Sequence, residues 1–205
     1  MSKFLKIIAL SLAFIFASEV LSEAGSPRVR YGLQWGYSAE AMASTTYTIF
    51  NEYGSRISDS NPRYWEYYTN AFVSGDVGLE FLDYLAVTLK VGYRGVAKDY
   101  RVMPIELQGS IFPCRYDQSG IFLIGSLGTA MSNWNFEDEM KILSGGIGLR
   151  RNIGNKISLD GFLRGNLFIC NPLPVDPYEG TIPRDRVLYS SGKYLTFDLG
   201  LALYF

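Results

Sequence analysis

The sequence predicts an all-β fold: an eight-stranded antiparallel up-and-down transmembrane barrel. Three observations predict it. From Leu195 to Phe205 every odd position is large and apolar, while Thr196, Asp198, Gly200 and Ala202 are small or polar and only Tyr204 breaks the rule. Period 2 kept over that length matches a strand able to cross a bilayer. Seven earlier segments repeat the alternation, and the connections between segments differ in length in a regular way. In water an uncovered apolar strand would invite edge-to-edge aggregation, which closure of the sheet within a membrane avoids.

Residues 1–24 read as a cleaved signal peptide, and residues 25–205 as one barrel domain. Lys3 and Lys6 precede a run from Ile7 to Ala17 that is apolar except for Ser11. Ser22-Glu23-Ala24 then offers the small residues that a signal peptidase needs before Gly25. The run is too short for a spanning helix, and no later segment is apolar for long enough. Aromatic residues make up 15% of the chain and glycine contributes 21 residues, which suits strands with one face in lipid.

The strands follow in order. Arg28–Tyr37 sets Val29, Tyr31, Leu33, Trp35 and Tyr37 against Arg28, Arg30, Gly32, Gln34 and Gly36. The second sets Ala71, Val73, Val77, Leu79 and Phe81 against Ser74, Asp76 and Glu80, and Asp83 marks a tight turn. The third sets Leu85, Val87, Leu89, Val91 and Tyr93 against Thr88, Lys90 and Arg94. The fourth sets Met103, Ile105, Leu107 and Ile111 against Glu106, Gln108 and Ser110. The fifth sets Ile121, Leu123, Leu127 and Met131 against Ser126, Gly128 and Ala130. The sixth is weaker, with Leu143, Ile147 and Leu149 against Gly146, Gly148 and Arg150. The seventh sets Ile157, Leu159, Leu163 and Leu167 against Asp160, Arg164 and Asn166, and Leu195–Phe205 is the eighth.

An even strand count puts both ends of the barrel on one side. Short turns near Asp83, at Pro113–Gly120 and at Asn152–Asn155 then share that side, as periplasmic turns do. The other side carries long loops at Ser38–Asn70 and Asn171–Lys193, and short ones at Ala97–Tyr100 and Asn133–Asp138. Aromatics gather near the strand ends. Tyr31, Phe81, Tyr84, Phe112 and Phe205 are expected on the periplasmic girdle; Tyr37, Tyr93, Trp134 and Phe136 on the outer one. Cys114 and Cys170 fall at opposite ends of this arrangement, so they are expected as separate thiols.

These features together resemble the small bacterial outer-membrane barrels of the OmpA/OmpX type. The resemblance covers nearly all of residues 25–205 and implies residence in the bacterial outer membrane, contact with its lipids and lipopolysaccharide, and a monomer. It also implies that Leu201, Leu203 and Phe205 act as the signal read by the outer-membrane assembly machinery. No motif names a subfamily.

The chain has no histidine, so a Ser-His-Asp arrangement or a histidine zinc site cannot be assembled. No enzyme activity, cofactor or metal is expected. Lys and Arg number 19 against 20 Asp and Glu, without a basic block, so no nucleic acid partner is expected. Gly145-Gly146-Ile147-Gly148 is not followed by a helix pattern, and glycine here more simply admits close packing of a neighbouring aromatic.

The charges on the lumen-facing side form the best constellation: Arg28, Arg30, Lys90, Arg94, Arg150 and Arg164 with Asp76, Glu80, Glu106, Asp160 and Asp198. Eight strands leave an interior barely wide enough for side chains, so these charges are expected to pair. Tyr64, Trp65, Tyr67 and Tyr68 are candidate loop contacts for an unknown surface partner, although Trp65 and Tyr67 could instead extend the second strand. The prolines of Asn171–Lys193 are expected to prevent regular pairing there. The function expected is a structural or cell-surface interaction role carried by the long loops. The alternatives are a small ion or solute channel and an exported soluble β-sandwich that binds a ligand.

Overall fold

The computed structural model describes residues 28–51, 53–64, 69–81, 84–97, 100–115, 118–132, 135–153, 157–176 and 180–205. The signal-peptide reading, Trp65, Tyr67, Tyr68 and Trp134 lie outside the described residues. The side chain of Phe136 also lies outside what is described.

The strands are β1 (Arg28–Phe50), β2 (Arg56–Tyr64), β3 (Thr69–Phe81), β4 (Leu85–Ala97), β5 (Tyr100–Ile111), β6 (Gly120–Ser132), β7 (Asn135–Ile153), β8 (Ile157–Cys170), β9 (Val175–Asp176), β10 (Gly180–Thr181) and β11 (Val187–Tyr204). Antiparallel neighbours run β1-β3-β4-β5-β6-β7-β8-β11, and β11 pairs back with β1 to close the ring. The result is a closed eight-stranded antiparallel barrel. Closure also disposes of the sandwich alternative, because one sheet returns on itself instead of two sheets facing each other. At the seam Phe205 N–H donates to Tyr31 O at 2.9 Å, and Tyr31 N–H to Phe205 O at 3.3 Å. Both ends of the described barrel therefore lie on one side.

The alternation works as expected in the lower barrel. Leu33, Val77, Leu89, Leu107, Leu127, Ile147, Leu163 and Leu199 point outward and are exposed. Their neighbours Gln34, Asp76, Lys90, Glu106, Ser126, Arg164 and Asp198 point inward and are buried. A wall that is greasy outside and polar inside inverts a soluble protein and matches a strand between lipid and lumen.

Four expectations need correction. Phe112 does not join an interfacial girdle: it is 2% exposed and turns into the lumen, stacked 5.2 Å from Phe122. Residue 112 is even, and even positions face inward on the lower strands. Second, the described part of Ser38–Asn70 is largely strand and not a long loop. β1 runs on to Phe50, turns at Asn51–Ser55, and returns as β2, with Met42 opposite Tyr64 and Phe50 opposite Arg56. Third, the final strand starts at Val187, and Ile49 pairs with Val187 at its far end. Fourth, despite the prolines, Asp176 pairs with Gly180 and Val175 with Thr181 in a small ladder.

The upper parts of β11, β1 and β2 thus form a three-stranded blade above the barrel. Its hydroxyl and acid side chains pair across strands: Thr46 with Ser60 at 3.1 Å, Thr48 with Ser58 at 3.0 Å, and Tyr47 O–H to Asp59 at 3.0 Å. Arg186 Nε–H donates to Phe50 O at 3.1 Å, and the Ser190 hydroxyl donates to Pro172 O, so the last connection is tied onto the blade.

Candidate functional site: the lumen network and the blade

The inward faces of eight strands bring together two apolar clusters, with one group of charges between them and a second interleaved with the turn-side one. Toward the loop end lie Ala43, Val96, Val102, Ala130, Met140, Ile142, Phe168, Cys170 and Tyr194. Toward the turn end lie Phe72, Ala86, Phe112, Phe122, Ile124, Phe162, Ala202 and Tyr204. Glycines make room for these rings. A Cβ at Gly148 would overlap Phe122, which is the close aromatic packing expected of the Gly145–Gly148 segment.

Asp198 is the hub of the charged layer. Its Oδ1 accepts from Arg94 Nη2 at 2.6 Å, and its Oδ2 accepts from Arg164 Nη2 at 2.8 Å and Nε at 3.2 Å. The same Arg94 nitrogen also donates to Ser38 at 3.0 Å and Thr196 at 3.4 Å, and its guanidinium lies 4.9 Å from the centre of the Phe168 ring. Arg164 Nη1 sits 3.6 Å from Glu106 Oε2, which also accepts from Ser126 at 2.6 Å. Register explains the convergence: Asp198 lies directly opposite Arg164 on one side and Ser38 on the other.

A second cluster sits nearer the turns. Arg150 forks onto Asp160 with two bonds of 2.8 Å, the planar geometry that makes such pairs strong. Its third nitrogen is 3.7 Å from Glu80, which also accepts from Arg30 at 3.0 Å. Arg150 lies over Phe112 at 4.3 Å and Arg30 over Tyr204 at 3.9 Å, so both cations rest on aromatic faces. Asp76 accepts from Gln34 at 2.5 Å and from the Tyr204 hydroxyl at 3.2 Å. Buried Lys90 stands between Asp76 and Glu106 in the strand register.

Of the eleven charges expected in the lumen, ten are brought together. The eleventh, Arg28, is exposed at the turn-side end of β1, opposite Glu80 in the β1–β3 register. Sequence reasoning missed Gln34, Ser38, Ser126, Thr196, Tyr204 and buried Glu40 as members. All lie on inward positions, so strand parity carried the signal. The rings of Phe72, Phe112, Phe122, Phe162 and Phe168 were missed for the opposite reason, since an aromatic in a barrel strand is read first as lipid-facing.

The network is closed to water at its centre. Asp198 is 0% exposed and Arg94 and Arg164 are 2% exposed. A buried charge is tolerated only when paired, and Asp198, Arg94 and Arg164 are paired by direct contacts, although Arg94 Nε and Arg164 Nη1 have no hydrogen-bond partner. Leu201, of the assembly-signal trio, faces outward and is exposed. Leu203 is half-exposed, and Phe205 is exposed at the seam. Tyr64 ends β2 and is exposed. Cys114 is exposed in the β5–β6 connection and Cys170 is buried at the loop-side end of β8, and the two are not joined by a disulfide. Among the described residues no cluster of His, Cys, Asp and Glu is arranged to hold a metal ion.

No family model and no curated protein matches the chain. Among solved structures, the outer membrane protein AlkL in lipid bilayers is similar at 12% identity and a TM-score of 0.47, over 89% of this chain and 93% of that one. The outer membrane protein OprG from Pseudomonas aeruginosa is similar at 9% identity and a TM-score of 0.39, over 88% and 98%. On its own strand order, closure and inverted polarity, the chain has the architecture of a small eight-stranded barrel of the outer-membrane type that its sequence resembles.

Proposed function

We propose that the chain is an integral barrel of the bacterial outer membrane, exported by loss of residues 1–24, and that it serves as a contact protein at the cell surface. The observation that carries this reading is the edge of β2. All nine of its residues are exposed, and among the described residues it pairs only with β1. Such an edge offers backbone C=O groups and, except at Pro62, N–H groups to an extended segment of a partner, with Tyr64 at one end as an aromatic anchor. Within the blade β1 holds β2 on one side and is itself paired with β11 on the other. Membrane placement is supported by the outward apolar belt, and Leu201, Leu203 and Phe205 then supply the strand read during assembly.

The channel reading has its own support. Thr88 Oγ1, Ser144 Oγ and Asn166 Oδ1 are buried without a hydrogen-bond partner in the protein, so a water or ion entering the lumen would find polar groups to bind. The apolar clusters on either side of the Asp198 level oppose through-flow. In a planar bilayer the purified chain is expected to give no discrete openings. Openings that vanish in Arg94→Gln or Glu80→Gln would replace the contact role with an ion path. For the contact role, cells carrying the chain should show saturable attachment to a second cell surface. Ser58→Pro with Ser60→Pro should remove that attachment and leave heat-modifiable gel migration unchanged. Attachment that survives both prolines would sink the β2 reading.

A further inference from the structure

We propose that the tip of the blade docks on the phospholipid surface of a second membrane, with Tyr53 entering the headgroup region and Phe50, Ile57 and Leu188 following it. The inference rests on the outer-membrane placement of the barrel and makes no use of the strand edge of β2.

The turn is built to hold Tyr53 out. Asn51 Oδ1 accepts from the Tyr53 N–H at 3.0 Å and from the Ser55 N–H at 2.7 Å. Asn51 N–H donates to Ser55 O at 2.9 Å, and Gly54 N–H to Asn51 O at 3.0 Å. Gly54 closes the turn at φ +74°, a conformation that favours glycine. On this fixed turn Tyr53 is 90% exposed. Phe50 at its foot is held by its carbonyl, which accepts from Arg186. Little conformational freedom is therefore lost when the tip meets a partner.

Exposed apolar side chains flank that turn on both faces of the sheet. Phe50 lies opposite Arg56 and Ile57 opposite Ile49, one row apart, so Phe50 and Ile57 point to opposite faces. Leu188 is the residue passed over where Tyr189 pairs with Thr48 and Val187 with Ile49. Phe50, Ile57 and Leu188 are all exposed. Beneath them the shaft is polar on both faces, with Thr45 and Thr46 on β1 and Ser58 to Asn61 on β2. Phe50 is eight residues beyond Met42, which a tilt of about 40° converts to about 20 Å above the barrel rim. The tip is thus a second apolar zone, separated from the belt of the barrel by a polar shaft. A pocket on a folded protein engages one face of a sheet. A partner that closes round both faces and the summit is fluid, and the interfacial zone of a bilayer is the fluid that accepts such groups. Tyr53 stands about 7 Å beyond the Phe50–Arg56 row, within the roughly 5–10 Å that interfacial side chains sink. Its apolar ring and polar hydroxyl suit the headgroup level. Charge gives little direction, because the turn and the Arg184–Arg186 segment carry Arg56, Arg184 and Arg186 against Glu52 and Asp185. Docking therefore follows apolar contact and not headgroup charge.

The test mixes the chain, folded into phosphatidylcholine donor vesicles, with protein-free phosphatidylcholine acceptor vesicles, and measures their co-flotation. Docking is expected to rise steeply with the number of copies per donor, since each tip binds weakly and many act together. It should survive about 1 M salt, which screens charges beyond about 3 Å. Phosphatidylglycerol in the acceptor should change it by less than about twofold. Tyr53→Ser should weaken the docking of one copy by roughly tenfold, the effect of keeping about 60 Å² of apolar surface out of lipid. Adding Phe50→Ser and Ile57→Ser should abolish docking, and the single variant keeps a readout if the triple one fails to fold. In Tyr53→Trp, dibrominated phosphatidylcholine confined to the acceptor should quench the added tryptophan. Docking that ignores these substitutions, vanishes in salt or requires phosphatidylglycerol overturns the proposal. Absence of docking also overturns it but leaves the β2 edge standing, because the acceptor holds no protein strand. A chain that fails to float with its donor vesicles overturns the membrane placement itself.

Discussion

Asp198→Ala is expected to destabilise the barrel by about 3–5 kcal/mol, the cost of leaving one side of a buried ion pair without its partner. The effect is large because Asp198 serves two arginines. Arg94 would keep Ser38 and Thr196 as neutral acceptors, but both the Arg94 and Arg164 guanidiniums would lose their shortest ionic contact in a space closed to solvent. Urea unfolding in lipid vesicles, followed by tryptophan fluorescence, measures it. A loss below about 1 kcal/mol, the worth of a surface ion pair, would mean that water reaches the charges and that the apolar layers do not seal them. Asp198→Asn should fall between, because the amide oxygen still accepts a hydrogen bond.

Leu199→Arg is the second large effect, at about 2–4 kcal/mol, the range for a basic residue on the lipid face near the bilayer midplane. Leu199 is 69% exposed and lies about 15 Å from either edge of the apolar belt. The control is on the same strand. Ala202 is buried in the turn-side apolar cluster but lies opposite Asp160 and Gln34, so the hydroxyl of Ala202→Ser has polar neighbours in register and should cost far less. Refolding yield into vesicles, read by heat-modifiable migration, separates the two. Equal penalties would contradict the inside–outside assignment, and a harmless Leu199→Arg would place that face in water.

Both predictions depend on strand parity, and parity was legible in the sequence. Val29 to Tyr37, Leu85 to Tyr93 and Leu195 to Phe205 announce their lipid face because one face meets hydrocarbon and the other does not. Those strands fixed which charges share the lumen. Pairing within the lumen was less legible. Arg94 meets Asp198 across 104 residues of sequence, a contact decided by ring closure and tilt. The blade was invisible for a further reason. Thr45, Thr46, Tyr47, Ser58, Asp59 and Ser60 are polar on both faces of the sheet, so the period-2 signal disappears although the β-branched and aromatic residues there favour strands. Arg28 is exposed although its parity is that of the lumen face, because parity says which way a residue points and not how deeply it is covered.

The shift in register between Glu40 and Met42 lets one strand serve two masters. Below it, even positions of β1 such as Gln34 and Ser38 face the lumen; above it, Ala41 and Ala43 are buried instead. One extra residue resets the phase of the strand as it leaves the barrel. The portion above the reset can therefore change in length or pattern without rotating Gln34, Ser38 or Trp35 away from the faces they occupy. That independence makes the blade an exchangeable part: a different hairpin can be grafted above Met42 onto the same barrel, provided Ala43 still caps the lumen beneath it.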